Sequence, residues 1–423
     1  MSVETAGEIT TGPPRYRWVV TTLWMTGHTW SFVILGSLGF LLPSMREELG
    51  LSPIEEGLLG SAPQVANVLL AIPFGLLLTR FRPKLISSIS FFAAAALIFF
   101  QGWAPFFLLL LLGRLLYGAA SSAREPARVL LIRQWMPPNE IVIANSLANF
   151  LWGIVALGFI ATPLLLELLD NSWRNTLHVF GAISLVMAVA WHLFGRERIT
   201  PEYEAQLRGQ GASSLRVIFR YKEVWFLALG MFGVGVNWSA FSTFWPSFRL
   251  DEYGMSLTAS ATVMAVGGAF SSVGGLAVGI LVSRIGRKRQ VLLLSGVIIA
   301  ATSPALLWIS SYPVLFIVFM VQSLGWSFFP IIMTIPFELP KIRPREVAVV
   351  TASVYTVVWM GAFVGPILAG AVQEVSGSLR VGLLVTSLAP STLIIAGLLL
   401  PRAWDRAPTS SQTETGVPGA RGA

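Results

Sequence analysis

The chain has 423 residues, 54% hydrophobic and only 12% charged, where a soluble domain is about 25% charged. With a mean hydropathy of +0.71, that deficit excludes a soluble globular domain and points to an integral membrane protein. The formal net charge of +8 does not point to nucleic acid, because the basic residues sit in short loops between apolar stretches.

The first seventeen residues are polar and lack a cleavable signal pattern, and the apolar stretch from about Trp18 to Pro43 is too long for a signal-peptide core. Apolar runs of about 20 residues predict twelve spans: 18–43, 55–78, 85–103, 105–132, 141–167, 174–194, 223–248, 257–282, 290–310, 313–338, 347–373 and 380–400. The polar stretch Gly195–Lys222 divides them. The expected organisation is a six-helix bundle over 1–195, a cytoplasmic linker over 196–222, a second bundle over 223–404 and a disordered Thr/Ser/Pro/Gly-rich tail over 405–423. With both termini placed inside, 22 of the 29 Lys and Arg fall in inside segments, four (Arg46, Arg174, Arg249 and Arg380) outside, and three within span 4. That asymmetry predicts cytoplasmic termini and a multi-pass protein of the inner cell membrane.

The halves repeat one another. Pro43-Ser-Met-Arg-Glu-Glu-Leu-Gly-Leu-Ser52 matches Pro246-Ser-Phe-Arg-Leu-Asp-Glu-Tyr-Gly-Met-Ser256, Pro138 and Glu140 match Pro344 and Glu346, and Trp152 and Gly158 match Trp359 and Gly365. The offset stays between 203 and 207. Two six-helix units in the same orientation are the parallel repeat that alternating access uses.

Gly75-Leu-Leu-Leu-Thr79-Arg80-Phe-Arg82-Pro-Lys84 and Gly279-Ile-Leu-Val-Ser283-Arg284-Ile-Gly286-Arg287-Lys288-Arg289 both resemble the loop signature G-x-L-x-D-R-x-G-R-R of the major facilitator superfamily. Thr79 and Ser283 stand where the family has Asp, and Arg82 stands at the turn Gly of the first copy. The resemblance covers the whole chain. It implies an all-α membrane fold of twelve helices in two pseudo-symmetric bundles, with Gly75, Arg80, Gly279, Arg284, Gly286 and Arg287 as gating-loop residues. Span 4 carries Arg114-Leu-Leu-Tyr117-Gly118, then Pro126, Trp135-Met-Pro-Pro-Asn-Glu140 and Ala144, a run similar to the organic-anion (anion:cation symporter) branch. In that branch the Arg contacts substrate and an acid seven residues later couples protons; here that later position is Ser121. A Gly-Pro element of the drug-antiporter kind is missing from span 5, and a Gly361-x-x-x-Gly365-Pro366 element occurs in span 11.

On a continuous helix, Arg114, Tyr117, Gly118, Ser121, Arg124, Glu125 and Arg128 would share an arc of roughly 120° over about 21 Å. A charge at mid-bilayer costs at least ~2.5–3.5 kcal/mol, so these arginines need a wet cavity or partners. Arg presents a planar fork that matches a carboxylate, which makes Arg114 and Arg124 candidate anion contacts with Tyr117 beside them. Glu125, the one acid deep inside a span, is a candidate proton carrier, with an ion pair along its own helix as the plainer reading. His28, central in span 1, could serve substrate or proton, as an imidazole switches near physiological pH. Asn237 and Gln322 are candidate hydrogen-bonding contacts, with interhelical packing as the alternative.

Neither paired carboxylates, a nucleophile triad, a metal-spaced His set nor a phosphate-binding G-x-x-x-x-G-K-[ST] loop is present, and cysteine is absent. No enzyme and no cofactor is expected. The expected function is secondary active transport of a small organic anion, a carboxylate or sugar acid, coupled to protons. The alternatives are an efflux antiporter for drugs or lipophilic compounds, a nitrate-like inorganic-anion transporter, and a non-transporting membrane sensor. Expected partners are the substrate, protons and the lipid bilayer, without nucleic acid, and with the chain acting as a monomer.

Overall fold

The structure, a computed structural model, describes residues 15–77, 82–136, 141–198, 219–335, 339 and 344–401. Its first half comprises α1 (Tyr16–Leu49), α2 (Pro53–Leu77), α3 (Pro83–Gly102), α4 (Phe107–Ser122), α5 (Arg124–Trp135), α6 (Ile141–Leu168) and α7 (Trp173–Phe194). The second comprises α8 (Lys222–Tyr253), α9 (Leu257–Ile285), α10 (Lys288–Ala305), α11 (Tyr312–Gly325), α12 (Phe329–Thr334), α13 (Pro344–Ser376), α14 (Leu379–Ser387) and α15 (Ser391–Leu399). Seven of the described helices are long and apolar enough to cross a bilayer.

These helices fall on the twelve expected spans, with two corrections. Three spans are broken: the fourth into α4 and α5, the tenth by a 3-10 turn at Trp326–Phe328 before α12, and the last into α14 and α15. Each break has a proline beside it: Pro126 and Pro330 follow theirs by two to four residues, and Pro390 ends the third. Proline lacks the N–H that would bond the carbonyl four residues back, and its ring crowds that carbonyl. In span 4 the serines add to this: Ser121 Oγ donates to the Tyr117 carbonyl at 2.8 Å and Ser122 Oγ to Ala119 at 2.9 Å, a back-bonding that bends helices. Of the expected stripe on span 4, Tyr117, Ser121 and Arg124 stay together, Arg124 Nη2 donating to Ser121 Oγ at 3.3 Å, while Arg114 turns toward α2. The second correction is length: α1 and α8 extend past their expected ends, so Arg46 and Arg249 are helical rather than loop residues.

The internal repeat is visible atom by atom. α1 and α8 both end on a glycine with positive φ, Gly50 (62°) and Gly254 (61°), the left-handed C-cap that a Cβ would strain. Arg174 Nε pairs with Glu48 at 2.7 Å in the first half, and Arg380 with Glu252 at 2.8 Å in the second. Arg174 Nη1 takes the carbonyls of Gly102 and Ala104. Their equivalents 205 residues later, on Leu307 and Ile309, are taken by the Tyr253 hydroxyl and Arg249 Nη1. In both halves the orphaned carbonyls around the end of the third span are capped by cations or hydroxyls from other helices.

The halves meet through α2 with α13, α6 with α9, and α1 with α8. Among the described residues, the hydrogen bonds that cross this seam lie at the end of the bundle carrying the 50–52 and 254–256 loops. Arg46, paired with Glu56 in its own half, reaches Asp251 of the other half at 2.8 Å. The Ile54 N–H donates to Glu374 and the Thr258 hydroxyl to Glu167, each at 3.3 Å. Gly39 lets the backbones touch, since a Cβ there would land on the Ser242 carbonyl, with Thr243 O at 3.0 Å. One apolar core runs across this end, joining Leu38, Leu41 and Met45 to Phe244, Trp245 and Phe248, while two further cores stay within single halves. Within a bilayer such a core gains chiefly from packing, about 0.1–0.2 kcal/mol per well-placed atom pair.

Candidate functional site

Two arginines of span 4 are almost completely enclosed, Arg114 at 3% exposure and Arg124 at 2%, and they occupy different places. Arg114, on α4, points at α2, where its Nε donates to the Leu59 carbonyl at 3.0 Å. That carbonyl is open because residue 63, four positions on, is a proline. The sequence thus makes its own acceptor for a buried guanidinium, and Gly118, one turn further along α4, lies against the Pro63 backbone. Nε is the atom used; the two terminal nitrogens of Arg114 make no hydrogen bond among the described residues.

Arg124 begins α5, just past the break, and turns into the first half between α1, α3 and α4. Its Nε donates to Ser90 Oγ at 2.8 Å, Nη1 to Ser31 Oγ, and Nη2 to Ser121 Oγ at 3.3 Å. Its guanidinium carbon lies 4.7 Å from the centre of the Phe91 ring, a cation–π distance. Beside it is a cavity of about 10 Å³ lined by Trp30, Ser31, Phe91, Tyr117, Arg124 and Ser184, among others, the room of about one water molecule. Tyr117, 1% exposed, thus lines the Arg124 chamber. Trp30 Nε1 donates to Ser184 at 3.0 Å across this chamber.

The other expected site residues are dispersed. His28 is half-buried on α1, stacked on Trp24 at 5.0 Å and edge-on to Phe32 at 5.4 Å. Asn237 (1% exposed) and Gln322 are joined through Ser303: Gln322 Nε2 donates to Ser303 Oγ at 2.7 Å, and Ser303 Oγ lies 3.5 Å from Asn237 Oδ1. This chain links α8, α10 and α11 inside the second half. Glu125 lies on α5, but its side chain is outside the described residues, as are those of Gly279 and Arg284 on α9; the surroundings of Gly75 on α2, and Arg80 altogether, are also outside them. Gly286 does make the expected tight turn, at φ 81°, with Arg287 exposed beside it at φ 42°.

Sequence reasoning passed over Ser90, Ser184 and Ser303. The signal for the chamber was the run Ser87-Ser88-Ile-Ser90 inside an apolar span, since hydroxyls at mid-span need partners as much as charges do. Ser90 also donates to the Ala120 carbonyl, so the hydroxyl that receives Arg124 is itself oriented by α4.

A sequence model of the Major Facilitator Superfamily matches residues 25–366. The hexuronate transporter of Escherichia coli (strain K12) is 26% identical over 263 residues, 57% of this chain and 59% of that protein. The probable L-galactonate transporter of the same strain is 24% identical over 248 residues, 55% of this chain and 54% of that protein. The matched part therefore spans between half and two-thirds of these relatives' length. Among solved structures, a bacterial homologue of the human lysosomal transporter Spinster, inward-facing and unoccupied, superposes with a TM-score of 0.77 at 18% identity, covering 94% of this chain and 100% of that one. The family model covers most of the chain and the fold agrees with it: the chain belongs to the Major Facilitator Superfamily.

Proposed function

We propose that this protein carries a small organic anion of the sugar-acid class across the inner cell membrane by alternating access, coupled to protons and with both termini cytoplasmic. The observation that carries the reading is Arg114: a fully enclosed guanidinium, held through Nε by the carbonyl that Pro63 frees, with its two terminal nitrogens unengaged among the described residues. Such a fork meets a carboxylate in two parallel hydrogen bonds. The relatives named for hexuronate and L-galactonate carry acids of this chemistry, and the basic loops fit the stated orientation.

In this orientation the seam of Arg46, Asp251, Ile54 and Glu374 is the outer gate, closed here. Transport proceeds as residues 18–194 rock against 223–400, opening this seam while the opposite end closes. His28 and Glu125 are the proton carriers this reading offers, and Gly75, Arg80, Gly279, Arg284, Gly286 and Arg287 are the inner gating loops. Asn237 and Gln322 act on the substrate indirectly, by fixing α8 and α11 through Ser303.

The test is uptake of labelled hexuronates and aldonates into proteoliposomes, with and without an inward proton gradient. Saturable uptake that the gradient raises, and that Arg114→Ala lowers at least tenfold, supports the reading. Movement of lipophilic cations in place of acids, indifferent to Arg114→Ala, would replace it with efflux. Loss of the gradient effect in Glu125→Gln or His28→Gln, with exchange down a substrate gradient retained, identifies the proton carrier.

A further inference from the structure

We propose that the Arg124 chamber is a second anion site, separate from Arg114, that holds a small inorganic anion of halide size as a structural counter-ion inside the first half. Arg124 carries a positive charge at 2% exposure, and its hydrogen-bond partners are neutral hydroxyls, those of Ser31, Ser90, Ser121 and Tyr117. Hydroxyl oxygens satisfy N–H groups but do not neutralise charge, and a buried cation without a counter-charge is strongly disfavoured. Among the described residues no carboxylate lines the chamber.

The guanidinium has five N–H donors; Ser31, Ser90 and Ser121 take three and the Tyr117 hydroxyl is a further partner. Room for about one water-sized sphere lies beside the Arg124 side chain, bounded by Ser31, Tyr117 and Ser184. The rest of the lining includes the apolar Phe91, Ala94 and Ile98, which suits a weakly hydrated monoatomic ion better than a carbohydrate acid. A hexuronate does not fit a space of this size. The serines come from α1 and α3 as well as α4, so an ion here ties together the helices that must rock as one body.

The experiment is thermal unfolding of the full chain in nanodiscs, with chloride replaced stepwise by methanesulfonate, which is not a sugar acid, at constant ionic strength. Saturable stabilisation by chloride, a rise in Tm of about 2–4 °C, is expected for the wild type and for Arg114→Gln, and its loss for Arg124→Gln. Ser31→Ala, which spares the charge, should raise the chloride midpoint at least about threefold, so the proposal stays testable if Arg124→Gln does not fold. Bromide soaked into wild-type crystals should give an anomalous peak in the chamber. An identical Tm in chloride and methanesulfonate would mean that the chamber holds only water. Persistence of the effect in Arg124→Gln, its loss in Arg114→Gln, or stabilisation by galacturonate but not by halide would also overturn the proposal. None of these outcomes bears on whether the protein transports an acid.

Discussion

Arg114 is where sequence and geometry meet most closely, because a proline in one helix creates the acceptor for an arginine in another. Removing the arginine leaves the Leu59 carbonyl unpaired in an enclosed site, and a hydrogen bond to a charged group is worth about 1.5–3 kcal/mol. Arg114→Gln should therefore destabilise the protein by about that amount. In a Pro63→Ala background, residue 63 supplies an N–H to the same carbonyl, and the loss should shrink by about 1 kcal/mol. Reversible unfolding in mixed micelles gives the cycle; strict additivity would show that the Leu59 carbonyl is not what holds Arg114. The importance of Arg114 was legible from its place in an apolar span. Its acceptor was not, since nothing in the sequence aligns residue 59 with residue 114. Arg124 was legible as a charge needing partners, but the hydroxyls of Ser31 and Ser90 that receive it from α1 and α3 were not.

At the scale of helices, twelve apolar stretches and one repeat offset were enough to place the spans, because a bilayer forces backbone groups to pair within each helix. What composition could not give was the interruptions. Pro126, Pro330 and Pro390 each stand near a break, yet Pro43, Pro163, Pro246 and Pro366 lie inside helices that continue. Whether a proline breaks or only bends a span depends on what its neighbours offer the freed carbonyl. The Asn237–Ser303–Gln322 chain is the element-scale prediction in the second half. Ser303→Ala removes the acceptor of Gln322 and should cost about 1–3 kcal/mol of stability, read as a fall in Tm, with the KM of the wild-type substrate moved less than about twofold. A large KM change with unaltered Tm would instead place Asn237 and Gln322 against the substrate.

Across the whole molecule, the duplicated halves use equivalent residues differently. Arg46 reaches across the seam to Asp251, whereas its repeat partner Arg249 stays in its own half, 1% exposed, 4.0 Å from the Tyr253 ring and bonded to Ile309. This end of the seam is thus tied by Arg46 and Ile54 of the first half and by Thr258 of the second. Arg46 and Asp251 are 32% and 44% exposed, so solvent screening limits the pair to about 0.2–1 kcal/mol, up to roughly a fivefold change in population. Asp251→Asn should shift the protein by that much toward opening at this end, and Gly39→Ala, whose Cβ meets the Ser242 carbonyl, should shift it further. The chain has no cysteine, so spin labels at Asn171→Cys and Ser378→Cys can be placed without clearing a background. Double electron–electron resonance should show a longer distance component growing in both variants; an unchanged distribution would mean that these contacts do not hold the seam.

The most direct measurement is calorimetric binding of galacturonate and of the neutral sugar galactose to the full chain in nanodiscs, for the wild type and for Arg114→Lys. The acid should bind saturably and the neutral sugar at least about 100-fold more weakly. Arg114→Lys, which keeps the charge but loses the planar fork, should weaken the acid at least tenfold. Equal binding of acid and neutral sugar, or full affinity in Arg114→Lys, would mean that the protein does not recognise its substrate as a carboxylate held by Arg114.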